Sequence, residues 1–149
     1  MKTAADIMTA QVITVTAETT VQELAKLLSD NNISGAPVVD DAGNLLGVVT
    51  ESDLIYQTKK LHIPTVVTIL DSIFFLENPD RMEKEIKKMA GTRVLDIYSP
   101  SLTVVQQDTS LEDIATIMAE KNIHTLPVVR DKRLVGVIGK KDIIKTLIP

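Results

Sequence analysis

The chain has 149 residues, 44% hydrophobic and 24% charged, a globular composition that excludes disorder and collagen-like structure and is long enough to bury a core. Its 20 acidic and 16 basic side chains give a formal charge of −4, which offers no basic field to a phosphate backbone, so nucleic acid is not an expected partner. With no cysteine and two histidines, a disulfide framework, a thiolate nucleophile and a cysteine-ligated zinc are excluded, and a reducing, cytoplasmic compartment is expected.

The opening residues Met1-Lys2-Thr3-Ala4-Ala5-Asp6 lack the apolar stretch of a secretory signal, so export is not expected. Val12-Ile13-Thr14-Val15 is a β-branched run that reads as a short strand. Thr20-Val21-Gln22-Glu23 has the Thr-x-x-Glu form of a capping box, and Val21, Leu24, Ala25 and Leu28 follow at helical spacing on one apolar face. Ala36 to Asp40 and Leu45 to Thr50 read as two strands joined by a tight turn, with a second helix starting near Glu51. The next segment, 58–93, reads as a helical crossover. A first helix would carry Val66, Val67, Ile69, Leu70, Ile73, Phe74 and Leu76. Asn78-Pro79-Asp80 would break it, and a charged amphipathic helix would cover 81–90. The most apolar window, 63–76, holds Pro64 and Asp71 and falls short of the about 20 apolar residues of a membrane span, so no membrane insertion is expected.

Beyond this crossover the chain repeats itself. Asp6-Ile7, Val15, Thr19, Asn32-Ile33 and Pro37-Val38-Val39 recur 90 residues later as Asp96-Ile97, Val105, Thr109, Asn122-Ile123 and Pro127-Val128-Val129. After the turn at 41–44, one residue longer than its counterpart, the shift is 89: Leu45, Gly47, Val48, Asp53 and Ile55 match Leu134, Gly136, Val137, Asp142 and Ile144. The expected organisation is therefore two repeats, 1–57 and 94–149, around the segment 58–93. Each repeat is a β-α-β-β-α unit of an α/β fold, marginal alone, and the two are expected to pack with pseudo-twofold symmetry and leave two related clefts.

Asp6-Ile7-Met8-Thr9, Ile33-Ser34-Gly35-Ala36-Pro37-Val38-Val39 and Gly47-Val48-Val49-Thr50-Glu51-Ser52-Asp53 resemble a cystathionine-β-synthase (CBS) domain. Their ordered recurrence at Asp96-Ile97-Tyr98-Ser99, Ile123 to Val129 and Gly136 to Asp142 resembles a CBS pair, or Bateman module. The resemblance implies a non-catalytic sensor whose clefts take AMP, ADP, ATP, NAD or S-adenosylmethionine. It further implies a homodimer that acts on an effector protein. Carried over residue by residue, one site would combine Thr50 and Asp53 with Ser99, Thr103, Ile123, His124, Thr125 and Pro127. The other would combine Asp142 with Thr9, Ile13, Ile33, Ser34, Gly35 and Pro37, with Lys140 and Lys141 towards phosphate.

The residues also allow plainer readings. Thr50 and Asp53 fit a capping box as well as a ribose contact, and Gly139, in place of Thr or Ser, removes a hydroxyl from the second site. Lys140 and Lys141 fit a solvated face, and His124 fits a structural or surface residue as well as a phosphate contact. Two further functions compete: a scaffold with empty clefts, and a nucleotide hydrolase built on Asp53 and His124. No P-loop or Ser-His-Asp arrangement supports the hydrolase.

Overall fold

The computed structural model describes residues 1–60, 66–69, 72–75, 92–100 and 103–149. In chain order the first repeat contains α1 (Ala4–Ile7), α2 (Val21–Asn31), β1 (Gly35–Val39), β2 (Leu45–Thr50) and α3 (Glu51–Lys60). Two strands follow, β3 (Val66–Ile69) and β4 (Ser72–Phe75). The second repeat contains α4 (Val94–Ile97), β5 (Val105–Gln106), α5 (Leu111–Glu120), β6 (Thr125–Arg130), β7 (Arg133–Gly139) and α6 (Lys140–Lys145).

The predicted capping box opens α2: the Glu23 N–H donates to Thr20 Oγ1 at 3.1 Å, and the Thr20 N–H donates to Glu23 Oε2 at 3.3 Å. In the second copy the Asp113 N–H donates to Ser110 Oγ at 3.1 Å, opening α5. Asn32 and Asn122 follow these helices at φ 51° and 53°, the left-handed region that asparagine tolerates better than most residues.

β1 and β2 pair antiparallel with Pro37 opposite Val48, and β6 and β7 repeat this with Pro127 opposite Val137. β5 lies parallel to β6, whereas in the first copy only Val15 bridges to Val38, so the strand expected at 12–15 shrinks to one bridge. The turns differ as the repeat shift requires. In the longer one, Asp40 Oδ1 accepts the N–H groups of Ala42 and Asn44, both at 2.9 Å, and the Asn44 N–H leads in holding the Asp40 carboxyl below the usual carboxylate range. The shorter turn reverses in two residues, with Asp131 and Lys132 both at positive φ, 50° and 70°.

The repeats exchange their opening segments. α1 docks on the second repeat, where Ala4 and Ala5 donate to the carbonyls of Thr109 and Gln107. α4 docks on the first, where Val94 and Leu95 donate to Thr19 and Ala17. One core contains Val15, Leu24, Leu28, Ala36, Val38, Val49 and the borrowed Val94. The other contains Val105, Ile114, Met118, Leu126, Val128, Ile138 and the borrowed Ala4, the same seven positions of the repeat. Beyond each opening helix the chain runs along the other copy's sheet: Ser99 pairs with Val48, and Thr9 with Val137. Gly47 and Gly136 permit this approach, because a Cβ at Gly47 would strike the Tyr98 ring and one at Gly136 the Met8 side chain.

One expectation is overturned. Within the segment read as a helix, β3 and β4 form an antiparallel pair, with Val66 opposite Phe75 and Ile69 opposite Ser72. Val66, Val67, Thr68, Ile69 and Ile73 are β-branched, and Phe74 and Phe75 are aromatic. These residues lose rotamer freedom in a helix and favour a pleated strand, so their type outweighs their approximate helical spacing. The helix expected at 81–90 lies outside the described residues. Among the described residues no helix is long and apolar enough to cross a membrane.

Candidate functional site

Two cavities, of about 520 and 570 Å³, lie between the repeats, and both are built from both copies. Each combines the start of one repeat's last helix with the opening segment and pre-proline loop of the other. The exchange of opening segments is what brings these pieces together.

The first cavity gathers Thr50, Asp53, Ser99, Thr103, Ile123, His124 and Thr125, seven residues of the first expected site. Pro127, the eighth, is fully buried in β6 and is not among the residues that border the cavity. The wall also includes Val48, Glu51, Ser52 and Asn122, with Ser34 and Lys140 reaching in from the other site's set. The second cavity gathers Thr9, Ile13, Ile33, Ser34, Gly35, Pro37, Lys140, Lys141 and Asp142, all of the second expected site. Gln11, Asn31, Asn32, Val137, Gly139, Ile144 and Lys145 complete it, together with His124 and Thr125. Ser34, His124, Thr125 and Lys140 thus border both cavities and form a partition between them.

Some of the missed residues left a trace in the sequence. Lys145 follows Lys141 at i+4 and shares its helical flank, and Val48 and Val137 are the repeat-related strand residues that the opening segments cover. Asn122, the repeat counterpart of Asn32, borders the cavity from a left-handed backbone position just after α5.

The two aspartates cap their helices. Thr50 donates to Asp53 Oδ2 from its N–H at 2.8 Å and from its hydroxyl at 3.2 Å. The Gly139 N–H donates to Asp142 Oδ2 at 2.8 Å, so the cap survives without a hydroxyl at position 139. The presence of an aspartate after Gly139 is therefore accounted for by the backbone alone. Among the described residues Asp53 Oδ1 accepts no hydrogen bond, whereas Asp142 Oδ1 accepts one from the Thr9 hydroxyl of the other repeat at 3.4 Å. His124 Nε2 lies 3.3 Å from Asn122 Oδ1 beside the partition.

Each cavity thus offers a carboxylate, an apolar wall and polar groups from a loop of the other copy. Val48 and Ile123 supply the apolar wall of the first, and Ile13, Ile33 and Val137 that of the second. A flat heterocycle fits against such a wall, and a carboxylate oxygen accepts from a pair of vicinal hydroxyls.

The family model for the CBS domain matches residues 4–59 and 94–149. The uncharacterized protein MJ1426 of Methanocaldococcus jannaschii is 32% identical over 135 residues, which cover 85% of this chain and 80% of that protein. CBSX1, a chloroplastic CBS domain-containing protein of Arabidopsis thaliana, is 35% identical over 136 residues, but the match spans only 55% of its length. The crystal structure of CBSX2 in complex with AMP superposes with a TM-score of 0.75 at 29% identity, covering 99% of this chain and 96% of that one.

Proposed function

Since the chain belongs to the CBS domain family as a tandem pair, we propose that it is a non-catalytic regulatory module that binds adenosine-containing ligands in its two inter-repeat cavities. The observation that carries this reading is the shared design of the cavities. Each sets the aspartate at the start of one repeat's last helix, Asp53 or Asp142, against the opening segment and pre-proline loop of the other repeat. The AMP bound by CBSX2, a structure similar to this chain over nearly its whole length, supports the ligand class.

In this reading Asp53 and Asp142 accept from ribose hydroxyls, the apolar walls hold the purine, and the loop residues Ile123 to Thr125 and Ile33 to Gly35 meet the base and phosphate edges. A ligand contacting both repeats favours the arrangement in which both contacts are made, and the signal is that shift in population. The signal passes to an effector protein or across a homodimer. Ile55 and Tyr56 on α3, with Ile144 on α6 and the following Leu147 and Ile148, are large apolar side chains left exposed that favour such association.

A scaffold with empty cavities is the competing reading, and the observation in its favour is that both carboxylates already serve as caps. Isothermal titration of ligand-stripped protein with AMP, ADP, ATP, NAD and S-adenosylmethionine separates the two. The sensor reading expects micromolar binding, with one stoichiometric equivalent lost in Asp53→Ala and another in Asp142→Ala. Heats indistinguishable from dilution for all five compounds would overturn the sensor reading for these ligands and favour a scaffold or an unusual ligand.

A further inference from the structure

We infer that the two cavities sort adenosyl ligands by phosphate number: the second selects adenosine di- and triphosphates, whereas the first gains nothing from added phosphates. The inference rests on the adenosyl-binding reading above and assigns a ligand class to each cavity.

The repeat relation itself carries the argument. With the shift of 89, Asp53 and Asp142 occupy the same position, so both cavities keep the carboxylate. The neighbouring positions do not match in charge. Glu51 stands where the second copy has Lys140, Ser52 where it has Lys141, and Tyr56 where it has Lys145. All three lysines border the second cavity, with Asp142 as its one carboxylate. The first cavity is bordered by Glu51 and Asp53, and its one lysine is Lys140, shared through the partition. Two cavities of similar volume and repeat-related origin thus carry opposite charge balances.

Geometry directs the difference at phosphate. Lys141 and Lys145 are one turn apart on one flank of α6, and Asp142 lies in the same turn as Lys141. A ribose held at Asp142 leaves its 5′ substituent within reach of these flexible ammonium groups, each of which serves a phosphate as a point charge. A ribose held at Asp53 would send the same substituent past Glu51 and a neutral serine, where each added phosphate meets like charge. The lysines are exposed, so the selection is sensitive to salt.

The test titrates adenosine, AMP, ADP and ATP, without divalent cations, into the wild-type protein, Lys141→Gln/Lys145→Gln and Glu51→Lys/Ser52→Lys. All four substituted side chains are exposed, and circular dichroism verifies the fold of each variant. We expect the wild type to bind one equivalent of ATP at least about tenfold more tightly than adenosine, with the preference shrinking at high salt. The double glutamine variant should lose that preference and keep its adenosine affinity. The double lysine variant should gain a second tight equivalent of ATP. Equal affinities from adenosine to ATP, or an ATP preference that survives Lys141→Gln/Lys145→Gln, would overturn the sorting while leaving the adenosyl-binding reading intact. If neither adenosine nor ATP binds the wild type, both fall together.

Discussion

Asp6, Asp53, Asp96 and Asp142 each accept the N–H of the residue three positions earlier, at 2.8 to 2.9 Å, and thereby close the first turn of a helix. The device is local and asks only for a carboxylate at the third helical position, where the helix dipole also favours it. This is why sequence alone left Asp53 open between a cap and a ribose contact: the same atom pattern satisfies both. In the structure Oδ2 takes the cap, and among the described residues Oδ1 of Asp53 accepts no hydrogen bond. A stability measurement can therefore be set against the binding one. Asp53→Asn keeps an acceptor for the Thr50 N–H and should unfold in urea close to wild type, whereas Asp53→Ala should lose about 1 kcal/mol. A midpoint for Asp53→Ala equal to that of the wild type would show that the cap contributes nothing.

At the level of elements, the two cores use the same seven positions with different volumes. The first combines Ala36 with the borrowed Val94, and the second combines Leu126 with the borrowed Ala4, so a small residue on the strand accompanies a larger one on the opening helix, and the reverse. Close packing makes such compensation necessary. Ala36→Leu should overfill the first core and cost roughly 1–3 kcal/mol, and adding Val94→Ala should recover part of the loss. Strictly additive destabilisation in a denaturant series would show that the two positions do not share space.

The same scale explains what could be read in the chain beforehand. α2 and α5 carried caps, helical periodicity and a repeat, three signals that agree, and β1, β2, β6 and β7 carried β-branched runs on either side of turn residues. The opening helices α1 and α4 were visible as the repeated Asp6-Ile7 and Asp96-Ile97 but not as helices, because four residues span barely one turn and are held by carbonyls of the other copy. The strands β3 and β4 were misjudged because apolar residues at nearly every position match a helical spacing by default. The cavity-lining residues were legible wherever the repeat placed a motif. The partition of Ser34, His124, Thr125 and Lys140 was not, since it exists only where the two copies meet.

For the whole molecule, the consequence lies in the exchange of α1 and α4. Each repeat presents a socket that the other repeat's opening helix fills, together with a plug that is seated in the other repeat. A peptide of residues 1–60 has an unfilled socket where Val94 belongs and a loose plug at Ala4. Produced alone it should remain unfolded or associate with a second copy of itself, and produced together with residues 92–149 it should assemble into a stable one-to-one complex. Size-exclusion chromatography with light scattering checks this, and a folded, monomeric 1–60 would refute it. Growth of such a chain from a single unit would then need no stage in which a lone unit stood by itself: a unit that paired with its own copy would already join plug to socket, and duplication would only tie together partners in contact.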